Sequence, residues 1–155
     1  MRFKINTPAA FGILLSASFV VFGCSKDKFT TRPQLEFKKV NSYEISRGGI
    51  MEFTLGFTDK EGDISDTIWI QLTTTSCPAS NRTLSYKIPD FPESQNSQGQ
   101  FEIAFVNGVF VPGYVALPGP ACGRPDTTTF SFWARDKAKN MSDTVQTDKP
   151  IIIYN

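Results

Sequence analysis

Four carboxylates crowd one short polar stretch of the chain: Asp59, Glu61, Asp63 and Asp66, grouped around Gly62. Acidic oxygens at this spacing suit two kinds of chemistry. They can surround calcium, which takes about six to eight oxygen ligands. Alternatively, two of them can serve as acid and base on a glycosidic bond when held about 5–10 Å apart. The EF-hand version of the calcium site is excluded, because Gly62 stands fourth from Asp59 instead of sixth and the twelfth position is Ile70. Four acids in one polar turn, with no cleft to raise one pKa, make poor catalysts. The chain therefore reads as non-enzymatic, with structural calcium as the candidate cofactor and a solvated acidic turn as the plain alternative.

Other chemistry is removed by composition. The 155 residues contain no histidine, so Ser-His-Asp and Cys-His catalysis and His-based metal sites are excluded. Basic and acidic residues nearly balance, 16 against 15, without a charge run that would suit nucleic acid. Two tryptophans offer a different kind of site. In the run Ile68 to Leu72 the inward phase is Ile68, Ile70 and Leu72, which turns Trp69 outward; Phe130 and Phe132 similarly turn Trp133 outward. Exposed indoles suit stacking on a sugar ring or anchoring a protein partner. The alternative is a Trp69 buried in the core, or both rings covered by lysine stems.

The elements that must position these residues are strands. No segment of ten or more residues beyond the N-terminal region shows a helical period, whereas short alternating runs recur between turn clusters. Seven are expected: at Leu35–Phe37, Met51–Phe57, Ile68–Leu72, Leu84–Ile88, Phe101–Phe105, Phe130–Phe132, and Val145 with Ile151–Tyr154. Seven strands in this length predict an all-β fold, an antiparallel immunoglobulin-like sandwich over residues 33–155. Alternating directions then place the loops at about 58–66, 89–99 and 135–142 at one end. Asn107-Gly108 is a hairpin signal that argues otherwise, since an extra strand over Val109–Tyr114 would reverse everything after it. The Lys149–Tyr154 tail is expected at a sheet edge, an association risk unless covered.

Two turns carry a resemblance. Phe132 to Ser142 resembles the F–G turn of bacterial Ig-like and cadherin-like domains, typically D-x-A-G-N-x-S, with Lys139 in place of the glycine. Phe57 to Asp63 resembles the B–C turn of Ig-like lipoproteins from the Bacteroidota. A cadherin-like arrangement would add Asp136 and the side-chain carbonyl of Asn140 to the calcium set. Both turns are signatures of fold, not of activity.

The N-terminus supplies an address. Arg2 and Lys4 precede an apolar run of about 14 residues, shorter than the ~20 a spanning helix needs, and the run closes with Val21-Phe22-Gly23-Cys24. This order resembles the bacterial lipoprotein signal. The resemblance implies a signal peptide at 1–23, acyl chains on Cys24, a tether over 24–32 and attachment to the bilayer through those chains. Removing Arg2 and Lys4 leaves 14 basic residues against 15 acidic ones. In an exported protein, the remaining pair Cys77 and Cys122 reads as a disulfide, stabilising by about 4 kcal/mol on the chain-entropy model. Serine and lysine after Cys24 fit release to the outer membrane under the enterobacterial sorting rule; the periplasmic and external faces both stay open.

The function expected is a membrane-anchored, non-catalytic binding or adhesion module with a glycan or protein ligand. The alternative is a scaffolding subunit of a cell-envelope assembly, and behind it a hydrolase using the acidic loops. Asp66-Thr67-Ile68, Asp126-Thr127-Thr128 and Asp143-Thr144-Val145 also resemble the O-glycosylation sequon of exported Bacteroidota proteins.

Overall fold

A computed structural model describes residues 28–155. The leader and the first part of the tether, residues 24–27 with Cys24, lie outside the described residues. The fold is all-β, built as two facing sheets. Among the described residues ten strands follow in order: β1 Gln34–Val40, β2 Glu44–Ile45, β3 Ile50–Asp59, β4 Thr67–Thr73, β5 Arg82–Lys87, β6 Ser97–Asn107, β7 Val115–Leu117, β8 Asp126–Arg135, β9 Val145–Gln146 and β10 Ile151–Ile153. One sheet runs β1-β3-β6-β7; the other runs β2-β10-β8-β4-β5, with β9 also paired to β8.

Six of the seven expected runs fall on single strands and the seventh is divided between β9 and β10; the inward phases are as read. Met51, Phe53 and Leu55 project from one sheet, and Ile68, Ile70, Leu72, Phe130 and Phe132 from the other; all are buried. Phe53 bridges the layers, with its ring centroid 4.9 Å from that of Phe130 and 5.1 Å from that of Phe132. Aromatic rings carry much apolar area and prefer such tilted or edge-on contacts. The core sits at this crossing.

Three features go beyond the sequence reading. Asn107-Gly108 opens no hairpin. Asn107 is buried and its Nδ2 donates to the Tyr154 carbonyl at 2.7 Å, so the side chain is spent on the C-terminal segment. The extra strand is β7, at 115–117, and it runs parallel to β6 after the loop has doubled back. Later strand directions are therefore not reversed. The fourth strand, β5, pairs with β4 and not with β6. Finally, β10 is not an edge, because β2 pairs with it in parallel and covers the apolar tail.

With directions preserved, Cys77 and Cys122 meet at one end and are disulfide-bonded, with Cα atoms 6.0 Å apart. The acidic loops gather at the other end. The chain enters there too: Lys60 N–H donates to the Thr30 carbonyl at 3.3 Å, and the Arg32 Nε–H to the Met141 carbonyl at 2.9 Å.

Candidate functional site

Asp59 is the last residue of β3, and Asp136 follows the last residue of β8. Because both strands end at the same pole, their following turns lie against each other. The turn after β3 depends on Gly62, whose φ is +78° and where a Cβ would stand 2.0 Å from the Ser94 carbonyl oxygen. No other residue type fits there. The turn after β8 is built on Asp136, whose carboxylate accepts from Asn140 N–H at 2.7 Å and from Asn140 Nδ2 at 2.8 Å. Lys139 takes φ +74°, so lysine adopts the left-handed conformation that the related motif gives to glycine. Two bonds clamp the turns together: Lys137 N–H to the Asp63 carbonyl at 2.9 Å, and Ala138 N–H to Asp63 Oδ2 at 3.1 Å.

The result is a convergence of three carboxylates. One oxygen each from Asp59, Asp63 and Asp136 lie within 4.8 Å of one another, and Asp59 and Asp136 are 0 % exposed. No donor reaches either Asp59 oxygen, or Asp63 Oδ1, with hydrogen-bond geometry. Burial is the main influence on Asp59 and raises its pKa. The Asp63 backbone N–H, close by but out of good hydrogen-bond alignment, opposes this, and the charges of Asp63, Asp136 and Glu61 push further upward. At an effective dielectric of about 20, charges this close repel by about 3–4 kcal/mol per pair. Buried carboxylates without donors are costly unless a counter-charge is supplied.

Of the six residues singled out as calcium ligands, three converge. Asn140 does not present its carbonyl as expected; its amide nitrogen and backbone hold Asp136 in place. Asp66 is occupied elsewhere, its Oδ2 lying 3.0 Å from Lys139 Nζ and 2.7 Å from Arg135 Nε, and these partners hold its pKa down to about 2. Glu61 is exposed on the turn.

On the outer face of the larger sheet, Trp69 and Trp133 stand directly opposite each other in the β4–β8 register. Their ring planes are 5° apart and their centroids 6.2 Å apart. Both are half-buried, so neither is a core tryptophan. The Arg135 guanidinium lies 5.2 Å from the Trp69 ring centroid, a cation–π contact, while its Nε holds Asp66. Arg135 was not singled out from the sequence, though it shares the outward phase of Trp133 two residues along β8. Also unforeseen is an apolar tip on the loop between β6 and β7, where Phe110 is 81 % exposed beside Tyr114 and Val115. Of the sequon threonines, Thr127 and Thr144 are exposed and Thr67 is half-buried.

Near the disulfide, a third acid, Asp126, is buried. The Thr74 and Ser76 hydroxyls both donate to Asp126 Oδ1. Burial pushes Asp126 upward, but the hydroxyls of Ser76, Thr74 and Ser80 and the Thr127 amide outweigh it, and its pKa is lowered. This acid pins the loop carrying Cys77 to the start of β8.

No protein-family model matches the chain, and no curated protein matches it. Among solved structures, it is similar to the sporulation control protein Spo0M from Bacillus subtilis, at 12 % identity and a TM-score of 0.38. The match covers 76 % of this chain and 49 % of that one, so the chain spans about half that structure's length. Nothing about this chain's activity follows from a likeness at that level.

Proposed function

We propose that this chain is a membrane-anchored lipoprotein whose immunoglobulin-like sandwich acts as a non-catalytic binding or adhesion module, with Trp69 and Trp133 at the contact face. The observation that carries the binding reading is the parallel indole pair, half-exposed on a sheet face and edged by polar side chains. Ser85 stands opposite Trp69 on β5 and Gln71 lies two residues along β4, both exposed. A flat apolar strip beside hydroxyl and amide groups suits a sugar ring, which offers C–H faces and hydroxyl edges. The strand orders β1-β3-β6 and β10-β8-β4 support the immunoglobulin-like reading.

The anchor rests on the Val21 to Cys24 motif. Lipidation there would put the acidic pole, where Thr30 and Arg32 dock, toward the bilayer and the disulfide end away from it. Two acyl chains at ~0.8 kcal/mol per methylene would hold it stably. The test of the anchor is Cys24→Ala in intact cells: the protein should move from the membrane to the soluble fraction, and retention in the membrane would refute lipid anchoring. The test of the face is the pair Trp69→Ala and Trp133→Ala against immobilised polysaccharides. Retention of the parent chain on at least one of them, lost in both variants, is expected; equal retention of all three would remove the face. Protease shaving of intact cells then decides between outward and periplasmic display.

A second reading, a scaffolding subunit of an envelope assembly, is favoured by Phe110 at the far end of the sandwich. An apolar tip held off the membrane suits a protein contact. Co-purification of one stoichiometric partner, lost on Phe110→Ser, would favour it.

A further inference from the structure

We propose that Asp59, Asp63 and Asp136 hold one hard divalent cation, of the calcium class, between the turn after β3 and the turn after β8. Two independent observations meet here. The first is the convergence of the three carboxylates, with oxygens within 4.8 Å of one another. Calcium binds oxygen at about 2.3–2.6 Å, so two of its ligands can stand at most about 5 Å apart, and the cluster fits inside that span. The second is that both oxygens of Asp59, which is 0 % exposed, and Oδ1 of Asp63 are buried and form no hydrogen bond of good geometry. A solvated acidic turn would turn these oxygens to water. Here one oxygen of each of Asp59, Asp63 and Asp136 lies within 4.8 Å of the other two.

The ligand chemistry selects the metal class. Among the described residues the donors are oxygen only, and the two described cysteines are bonded to each other. All-oxygen, all-anionic donors suit calcium or magnesium rather than zinc or copper. Magnesium sheds its waters reluctantly and is seldom held by a buried protein cage, which favours calcium. The remaining partners of these side chains pre-form the site. Asn140 fixes both Asp136 oxygens, and Ala138 N–H fixes Asp63 Oδ2, leaving Asp63 Oδ1 and the Asp59 pair without a hydrogen bond. A cation there would tie together two turns that already touch between Asp63 and Ala138, 75 residues apart in sequence, at the pole where the chain enters the sandwich.

The experiment uses the full-length chain in detergent, stripped with chelator and titrated separately with calcium chloride and magnesium chloride. Calorimetry should show one calcium site. One millimolar calcium should raise the melting temperature by about 5 °C or more over chelator, with magnesium doing less. In chelator, Asp59→Asn should melt at or above the parent chain, since a buried charge is gone, and it should no longer respond to calcium. Asp66→Asn should keep the full response. Terbium bound to the parent chain and displaced one-for-one by calcium would support the site without any variant. The proposal is overturned by equal melting in calcium and chelator with no heat of binding. A response of Asp66→Asn as weak as that of Asp59→Asn would overturn the ligand set, and an equal or larger response to magnesium would overturn the calcium assignment.

Discussion

Asp59 and Asp136 close two strands in different sheets, and their buried carboxylates approach within 4.8 Å across the open end of the sandwich. Folding by itself would not favour that contact. It arises because β3 and β8 both run toward the same pole, and because each following turn is fixed by its own local bonds. Asn140 folds back on Asp136, and Gly62 lets the first turn pass against Ser94.

Gly62 is the position where that arrangement is least tolerant. Its φ of +78° already disfavours any Cβ, and the nearest atom to one would be a backbone oxygen at 2.0 Å, which cannot swing aside. Gly62→Ala should cost about 2–4 kcal/mol by urea unfolding. A cost under about 1 kcal/mol would mean that the turn relocates freely and does not hold Asp63 in place.

The cross-layer ring of Phe53 gives the second prediction. It contacts Phe130 and Phe132 in the opposite sheet and lies 6.4 Å from Phe105 in its own. Phe53→Ala should lose about 3–5 kcal/mol, because neighbouring aromatics are too rigid to fill the void. Phe53→Leu should lose much less. Similar losses for both would indicate that ring–ring geometry outweighs volume.

The disulfide closes a loop of 45 residues between the β4–β5 connection and the segment preceding β8. Cys77→Ser with Cys122→Ser should lower stability by about 4 kcal/mol on the chain-entropy model. Asp126, held by Thr74 and Ser76, ties the same two segments together in the folded state only, so it does not replace the restraint on the unfolded chain. A loss well below about 4 kcal/mol in thermal unfolding would show that the reduced, unfolded chain keeps residual structure.

Strand positions and inward phases were legible in the sequence, because alternation such as Met51, Phe53, Leu55 leaves one consistent side for the core. Strand pairing was less so. Nothing local to Arg82–Lys87 says that its partner is β4 and not β6. The Asn107-Gly108 signal misled because Asn107 is recruited by Tyr154, a contact 47 residues away that no turn rule contains. The acidic site was legible as a set of residues, and Asp59, Asp63 and Asp136 were all in it. Which members converge depended on competition for counter-charge. Arg135 and Lys139 reach Asp66, and Asn140 spends its amide on Asp136. Arg135 itself was readable as an outward neighbour of Trp133, but its place over Trp69 required the β4–β8 register.

Asp66 yields the final prediction, through pH. Lys139 and Arg135 hold its carboxyl at a pKa of about 2, below its ordinary 3.8, while Thr67 donates to its other oxygen. A folded pKa below the unfolded one means stability that is fully present above about pH 4 and lost as pH falls through about 2. Lys139 is largely exposed and solvent screens it, so the net contribution is about 1 kcal/mol. Asp66→Asn should therefore be about 1 kcal/mol less stable than the parent chain at pH 7, and the gap should close between pH 4 and pH 2. The same variant releases Arg135 from its ion pair, which leaves the Trp69 ring less covered. Acrylamide quenching of tryptophan fluorescence should rise with it at neutral pH. A stability gap unchanged at pH 2 would assign the effect to lost hydrogen bonds instead of charge, and unchanged quenching would show that Arg135 holds its place over Trp69 without Asp66.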